Sequence, residues 1–163
     1  MAPNPFLCRR ALLAGAMHTG VAIALAQPSF AADKLSRIVV TRDPACGCCG
    51  AWVAHVQQAG FPVEVIETGD LAPLKGRLGV PEALFACHTA EVEGYAIEGH
   101  VPASTIRRLL VQRPQAAGLA VAGMPVGSPG MEVPGATPET YEVILFGPGL
   151  RRVFARYRGA QEV

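Results

Sequence analysis

Three cysteines occupy four positions of this chain, Cys46, Cys48 and Cys49, and no other feature restricts the local fold so tightly. Thiolates at that spacing repel one another, and bound cations remove the cost. The flanking residues decide where the thiols sit. Leu35 to Arg42 is a β-branched run that ends at Asp43-Pro44, the pattern of a first strand. Gly47 to Ala59 carries Trp52, Val53, Val56 and Ala59 at three- and four-residue steps and stops at Gly60, the pattern of a helix. The cysteines therefore fall on a strand-to-helix turn, where the positive end of the helix favours deprotonated sulfur.

Downstream, Pro62 to Thr68 alternates as a second strand, and Asp70 opens a short helix. EALFACHT and EVEGYAIEG read as two strands joined by a tight turn near Thr89-Ala90. Pro102 to Gln112 begins with a helix-starting proline and places Ile106, Leu109 and Leu110 on one face. The order β-α-β-α-β-β-α is that of an α/β, thioredoxin-like domain, a fold that keeps its redox cysteines on the turn occupied here by Cys46, Cys48 and Cys49.

From Gly118 to Gly135 the pattern changes. Five glycines and three prolines fall within this stretch, with Glu132 its only charge. Such a segment is expected to form neither a helix nor an inner strand. Disordered segments are polar, and this one is apolar, so a packed loop over a site is the expectation. Tyr141 to Gly147 and Arg151 to Arg158, separated by Pro148-Gly149, predict a C-terminal β-hairpin.

Residues 1–31 hold no acid, an Arg9-Arg10 pair, an apolar stretch from Ala11 to Ala26, and small residues at Ser29 and Ala31. That is the pattern of a secretory signal cut after Ala31, leaving one domain over 32–163. The apolar stretch, broken by Gly15, His18, Thr19 and Gly20, is too short to stay as a membrane span. The paired arginines are a mark of twin-arginine export, although no Ser or Thr precedes them. Cys8 falls in the removed segment and is given no role. Without Arg9 and Arg10, twelve basic residues face thirteen acidic ones. So near-neutral a chain offers no electrostatic case for nucleic acid or anionic lipid.

Four cysteines remain, the fourth being Cys87. Three chemistries stay open. An exported chain with an even cysteine count suits two structural disulfides. Cys46 and Cys49 form a C-x-x-C, the spacing of a thiol–disulfide oxidoreductase. Clustered soft thiolates suit Cu(I), zinc or an iron–sulfur centre, and bridging sulfurs let them hold several Cu(I) ions. Cys87 is either a small buried hydrophobe or the fourth sulfur. His88 and His100 are candidate secondary ligands or hydrogen-bonded structural rings. Met124 and Met131, at either end of the apolar loop, are candidate thioether ligands. His55 lies on the first helix, two turns beyond Cys48, too far for direct ligation, and Trp52 reads as core.

Taken together, CGCCGAWVAHVQQAGFPVEV, LGVP, CHTAEVEGYAIEGHVPA and GLAVAGMPVGSPGME resemble the CopG-type copper-resistance family, small exported proteins once grouped only as a domain of unknown function. The resemblance covers nearly all of the mature chain, with the motif blocks in order. It implies a thioredoxin-like periplasmic protein carrying a multinuclear Cu(I) cluster on cysteine sulfur. It assigns the cluster to Cys46, Cys48 and Cys49, with Cys87 as the fourth sulfur, and leaves open whether copper is also oxidised or reduced there. The partners it implies are copper ions and other periplasmic copper-handling proteins; zinc is the alternative metal.

Overall fold

The computed structural model describes residues 35–163. The leader expected at 1–31 lies outside the described residues. The described chain forms β1 (Ile38–Arg42), α1 (Gly47–Gln58), β2 (Val63–Glu67), α2 (Ala72–Arg77), β3 (His88–Val92), β4 (Tyr95–Glu98), α3 (Ala103–Gln112), β5 (Gly118–Ala120), β6 (Thr140–Gly147), β7 (Leu150–Arg158) and β8 (Gln161–Glu162). All eight strands join one sheet in the order β2-β1-β3-β4-β5-β6-β7-β8. The expectation of a mixed α/β architecture holds. The hairpin is β6–β7, turning at Pro148-Gly149, and it continues the same sheet through β5.

Side-chain alternation sorts the sheet into two apolar faces. One face carries Ile38, Val40, Ala90, Ile97, Leu119 and Leu145 against Trp52, Val53 and Val56 of α1 and Ile106 and Leu109 of α3. The other carries Ala96, Ala120 and Phe146 against Val80 and Leu84. In α1 the buried positions are Cys49, Trp52, Val53 and Val56. This three-and-four spacing makes Cys49 the first member of the core-facing stripe.

Four expectations are corrected. The β3–β4 turn lies at Glu93-Gly94, both at positive φ (46° and 83°), because Thr89 and Ala90 are mid-strand, opposite Glu98 and Ile97. The first half of EALFACHT is instead a 3-10 turn, Glu82–Leu84, begun by Pro81. Asp70 stands one residue before the cap of α2, Leu71, where its carboxylate accepts the Ala72 N–H at 2.9 Å. The stretch from Gly118 does contain an inner strand, β5, between β4 and β6. The missing side chain is what permits it: a Cβ at Gly118 would stand 1.9 Å from the Ala96 carbonyl oxygen.

Strand direction positions the site. β1 runs parallel to β2 and antiparallel to β3, β4 is antiparallel to β3, and β5 is parallel to β4. The C-terminal ends of β1, β2, β4 and β5 therefore share one edge with the start of β3. Ligand sites in open α/β sheets gather outside the carboxyl ends of the strands.

Candidate functional site

At that edge β1 gives way to α1 through a turn built by its own residues. Asp43 accepts the Ala45 N–H on its carboxylate at 2.7 Å and the Cys46 N–H on its carbonyl at 3.0 Å, the usual work of an Asp-Pro turn. Arg42 Nη1 donates to the Cys46 carbonyl at 3.1 Å. Cys46 is thereby placed as the N-cap of α1, with Cys48 and Cys49 in the first helical turn. Cys46 and Cys49 are joined as a disulfide, their Cα atoms 5.5 Å apart, and Cys48 and Cys87 are free thiols.

Cys87 arrives by register. Arg42 pairs with His88 across β1–β3, so the residue before β3 comes to the β1–α1 turn. The Cys48 sulfur lies 3.5 Å from the Cys46 sulfur and 3.7 Å from that of Cys87. The Cys49 sulfur touches the Cys87 carbonyl oxygen at 3.7 Å, a contact only, since a disulfide sulfur has no proton to donate. The four cysteine sulfurs all fall within 4.8 Å of one another.

The β3–β4 register, Thr89 opposite Glu98, also sets His88 and His100 beside each other. Cys87 Sγ is 3.5 Å from His88 Nδ1 and 3.3 Å from His100 Nε2, and the three residues form a second close group of ligand atoms. A carbonyl only accepts, so His100 Nδ1, 2.8 Å from the Pro129 carbonyl, carries the proton. Its Nε2 lone pair is left facing Cys87. His88 is fully buried, its ring 4.5 Å from that of Trp52 and 5.1 Å from that of His100. His88 Nε2 has no hydrogen-bond partner among the described residues.

Burial sets the titration of this group. It raises the Cys87 thiol to about 12, with the neighbouring Cys48 adding in the same direction. It lowers His88 to about 3, with His100 adding. His100 is lowered by burial, partly offset by the Pro129 carbonyl.

The segment after β5 covers the cluster. Met124 Sδ is 3.8 Å from Cys48 Sγ, Pro129 holds His100, and Gly130 lies against the first turns of α1. A Cβ at Gly130, whose φ is +84°, would stand 2.6 Å from the Trp52 nitrogen and 3.0 Å from the Cys48 carbonyl. Met124 is the methionine that reaches a cysteine within hydrogen-bonding distance among the described residues. Met131 ties the loop through its backbone, its carbonyl accepting the Gly127 N–H at 2.8 Å.

The family model described as "Protein of unknown function, DUF411" matches residues 84–131, which include Cys87, both of these histidines and both loop methionines. A solved "Copper resistance protein copG", Form 1, is 41% identical, with a TM-score of 0.71 over 77% of this chain and 99% of that one. The chain belongs to the CopG family. Form 2 of that protein is likewise 41% identical at a TM-score of 0.71, over 76% and 98% of the two chains. No curated protein matches.

In this CopG-family chain two features escaped the sequence reading. Lys75 and Glu98 form a buried ion pair next to the site. An acid on a central strand just after Ala96 and Ile97 was the available signal for Glu98; Lys75, on a short helix of mixed composition, offered none. His55 accepts the Ala103 N–H on Nε2 at 3.1 Å. It caps α3, whose own N-cap, Pro102, has no side-chain acceptor.

Proposed function

We propose that this chain is an exported, periplasmic copper-tolerance protein that takes up Cu(I) on the sulfurs of Cys46, Cys48, Cys49 and Cys87. One observation carries the reading: four sulfurs from two separate segments converge within 4.8 Å of one another, a soft donor set matched to Cu(I). Membership of the CopG family, with relatives titled copper resistance protein, supports copper as the cargo. The first four strands, in the order β2-β1-β3-β4 with thiols on the β1–α1 turn, are read as thioredoxin-like. Among the described residues no helix is long and apolar enough to cross a membrane.

Uptake begins with reduction of the Cys46–Cys49 disulfide. An external dithiol gives up two electrons and two protons and becomes a disulfide, leaving Cys46 and Cys49 as thiols. Cu(I) then displaces protons from the thiols, and bridging sulfurs hold several ions. His88, His100 and Met124 stand close enough to complete coordination, and the Met loop excludes water. Metal analysis coupled to thiol titration under anaerobic, copper-replete conditions tests the reading. Several Cu(I) per monomer, lost when Cys46, Cys48 and Cys49 are all changed to Ser, is the expected result. One zinc per chain and no copper would overturn it.

A second reading rests on the disulfide itself. Cys46 and Cys49 as a thioredoxin-type exchange pair would turn over in an insulin-reduction assay, with or without copper. Inertness in that assay, together with tight Cu(I) binding, excludes it.

A further inference from the structure

The buried charges beside Cys87 have a geometry that stability does not explain. Lys75 and Glu98 are only 5% and 0% exposed, and they pair directly. Burying two charges costs desolvation, and well-packed apolar residues usually serve a core as well or better. The adjoining cluster of Val80, Leu84, Ala96, Ala120 and Phe146 would accommodate such residues. Instead the pair grips a single residue from both sides. Lys75 Nζ donates to the Ala86 carbonyl at 3.1 Å, and Glu98 Oε1 accepts the Ala86 N–H at 2.6 Å. Thr89 closes the ring, accepting from Lys75 at 2.9 Å and donating to Glu98 Oε2 at 2.7 Å. All three lysine protons are thus used. Ala86 also presses on Gly99, where an added Cβ would stand 2.6 Å from the Ala86 Cβ.

Ala86 precedes Cys87 in the stretch between the 3-10 turn and β3, outside the strand ladder. We propose that Lys75 and Glu98 are positioning residues: by clamping both polar groups of Ala86 they aim the Cys87 sulfur at Cys48 and at His100 Nε2. The consequence for metal binding rests on the copper reading above; the geometric consequence does not. Partners that orient a ligand without touching the metal typically change affinity by about 10–100-fold when removed.

The experiment uses Lys75→Met/Glu98→Leu, which removes both charges and both bonds to Ala86 together, so that neither charge is left buried alone. Tyr157→Phe, a remote change that loses the bond to Thr105, controls for general loosening. In a Cys48→Ser background with the Cys46–Cys49 disulfide formed and no metal, Cys87 is the free thiol of the described chain. Its alkylation by iodoacetamide is expected to quicken by about tenfold in the double variant and to stay unchanged in the control. In the fully reduced chain with Cys48 intact, Cu(I) affinity by competition is expected to fall by about 10–100-fold. The Cu(I)–thiolate charge-transfer absorption should move toward that of Cys87→Ser. An unchanged alkylation rate in folded double variant overturns the positioning, whatever copper does. Faster alkylation while the unmodified chain binds no Cu(I) supports the positioning and overturns the copper reading instead. Faster alkylation with undiminished Cu(I) affinity overturns the pair's role in the metal site. If the double variant fails to fold, Lys75→Met alone, which removes the bond to the Ala86 carbonyl and lets Glu98 take up a proton, is read by the same criteria.

Discussion

Cys48 and Cys87 stand 39 positions apart in the chain, and their sulfurs lie 3.7 Å apart. Neither belongs to the Cys46–Cys49 disulfide, so the site holds one oxidised pair and one reduced pair side by side. The β1–β3 register creates the second pair, because Arg42 opposite His88 delivers the residue before β3 to the turn after β1.

This arrangement predicts the outcome of mild oxidation. Diamide should take two hydrogens from Cys48 and Cys87, giving a hydrazine and a monomer without titratable thiols among the described residues. Cys48→Ser should block the reaction. Disulfide-linked dimers from the unmodified chain, seen on a non-reducing gel, would contradict the pairing.

Copper uptake should strengthen with pH. Cys87 is pushed up to about 12, so across the neutral range it is protonated and must lose its proton to bind metal. Each displaced proton makes the apparent affinity rise by about tenfold per pH unit below the thiol's pKa. Competition titrations at several pH values should show this steepening, and Cys87→Ser should reduce the slope by one proton.

Acid stability should carry the mark of His88. Its folded value is lowered to about 3, below that of an exposed imidazole at about 6.5. Between these values the unfolded chain holds a proton that the folded chain does not. Stability therefore falls as pH drops through that window, by about 1.4 kcal/mol per unit at most. Denaturant midpoints measured from pH 7 downward should decline less steeply in His88→Gln.

Two glycine substitutions separate backbone strain from close packing. Gly123 and Gly130 both have positive φ, but a Cβ at Gly123 meets nothing within 4 Å, whereas one at Gly130 meets the backbone of α1. Gly123→Ala should cost about 1 kcal/mol. Gly130→Ala should cost about 2–3 kcal/mol and also speed alkylation of Cys48, because the loop can no longer seat on the helix. Equal costs and equal alkylation rates would show that the loop does not seal the thiols.

Much of this was legible in the chain. The turn that carries Cys46, Cys48 and Cys49 was marked by a β-branched run, Asp-Pro, and a helical stripe, all local signals. α3 was equally plain from Pro102 and the spacing of Ile106 and Leu109, although Leu110 is only partly buried. What escaped depends on contacts between distant segments. β5 was missed because glycine content argued against an inner strand, whereas Gly118 is the residue that lets the Ala96 carbonyl approach. The turn near Thr89-Ala90 was misplaced because apolar continuity through EALFACHT hid the 3-10 turn at Glu82–Leu84. The Lys75–Glu98 pair needed two elements brought together by the tertiary fold, and neither residue announces the other.

Cys48 and Cys49 are neighbours in sequence but belong to different parts of the protein. Cys49 opens the buried stripe of α1 and is fully covered, whereas Cys48 is partly exposed. A substitution survey scoring only folding yield would rank Cys49 with Trp52 and Val56, and Cys48 among tolerant surface positions. On the proposed copper reading, a sulfur of the binding site would then be one that such a survey passes over.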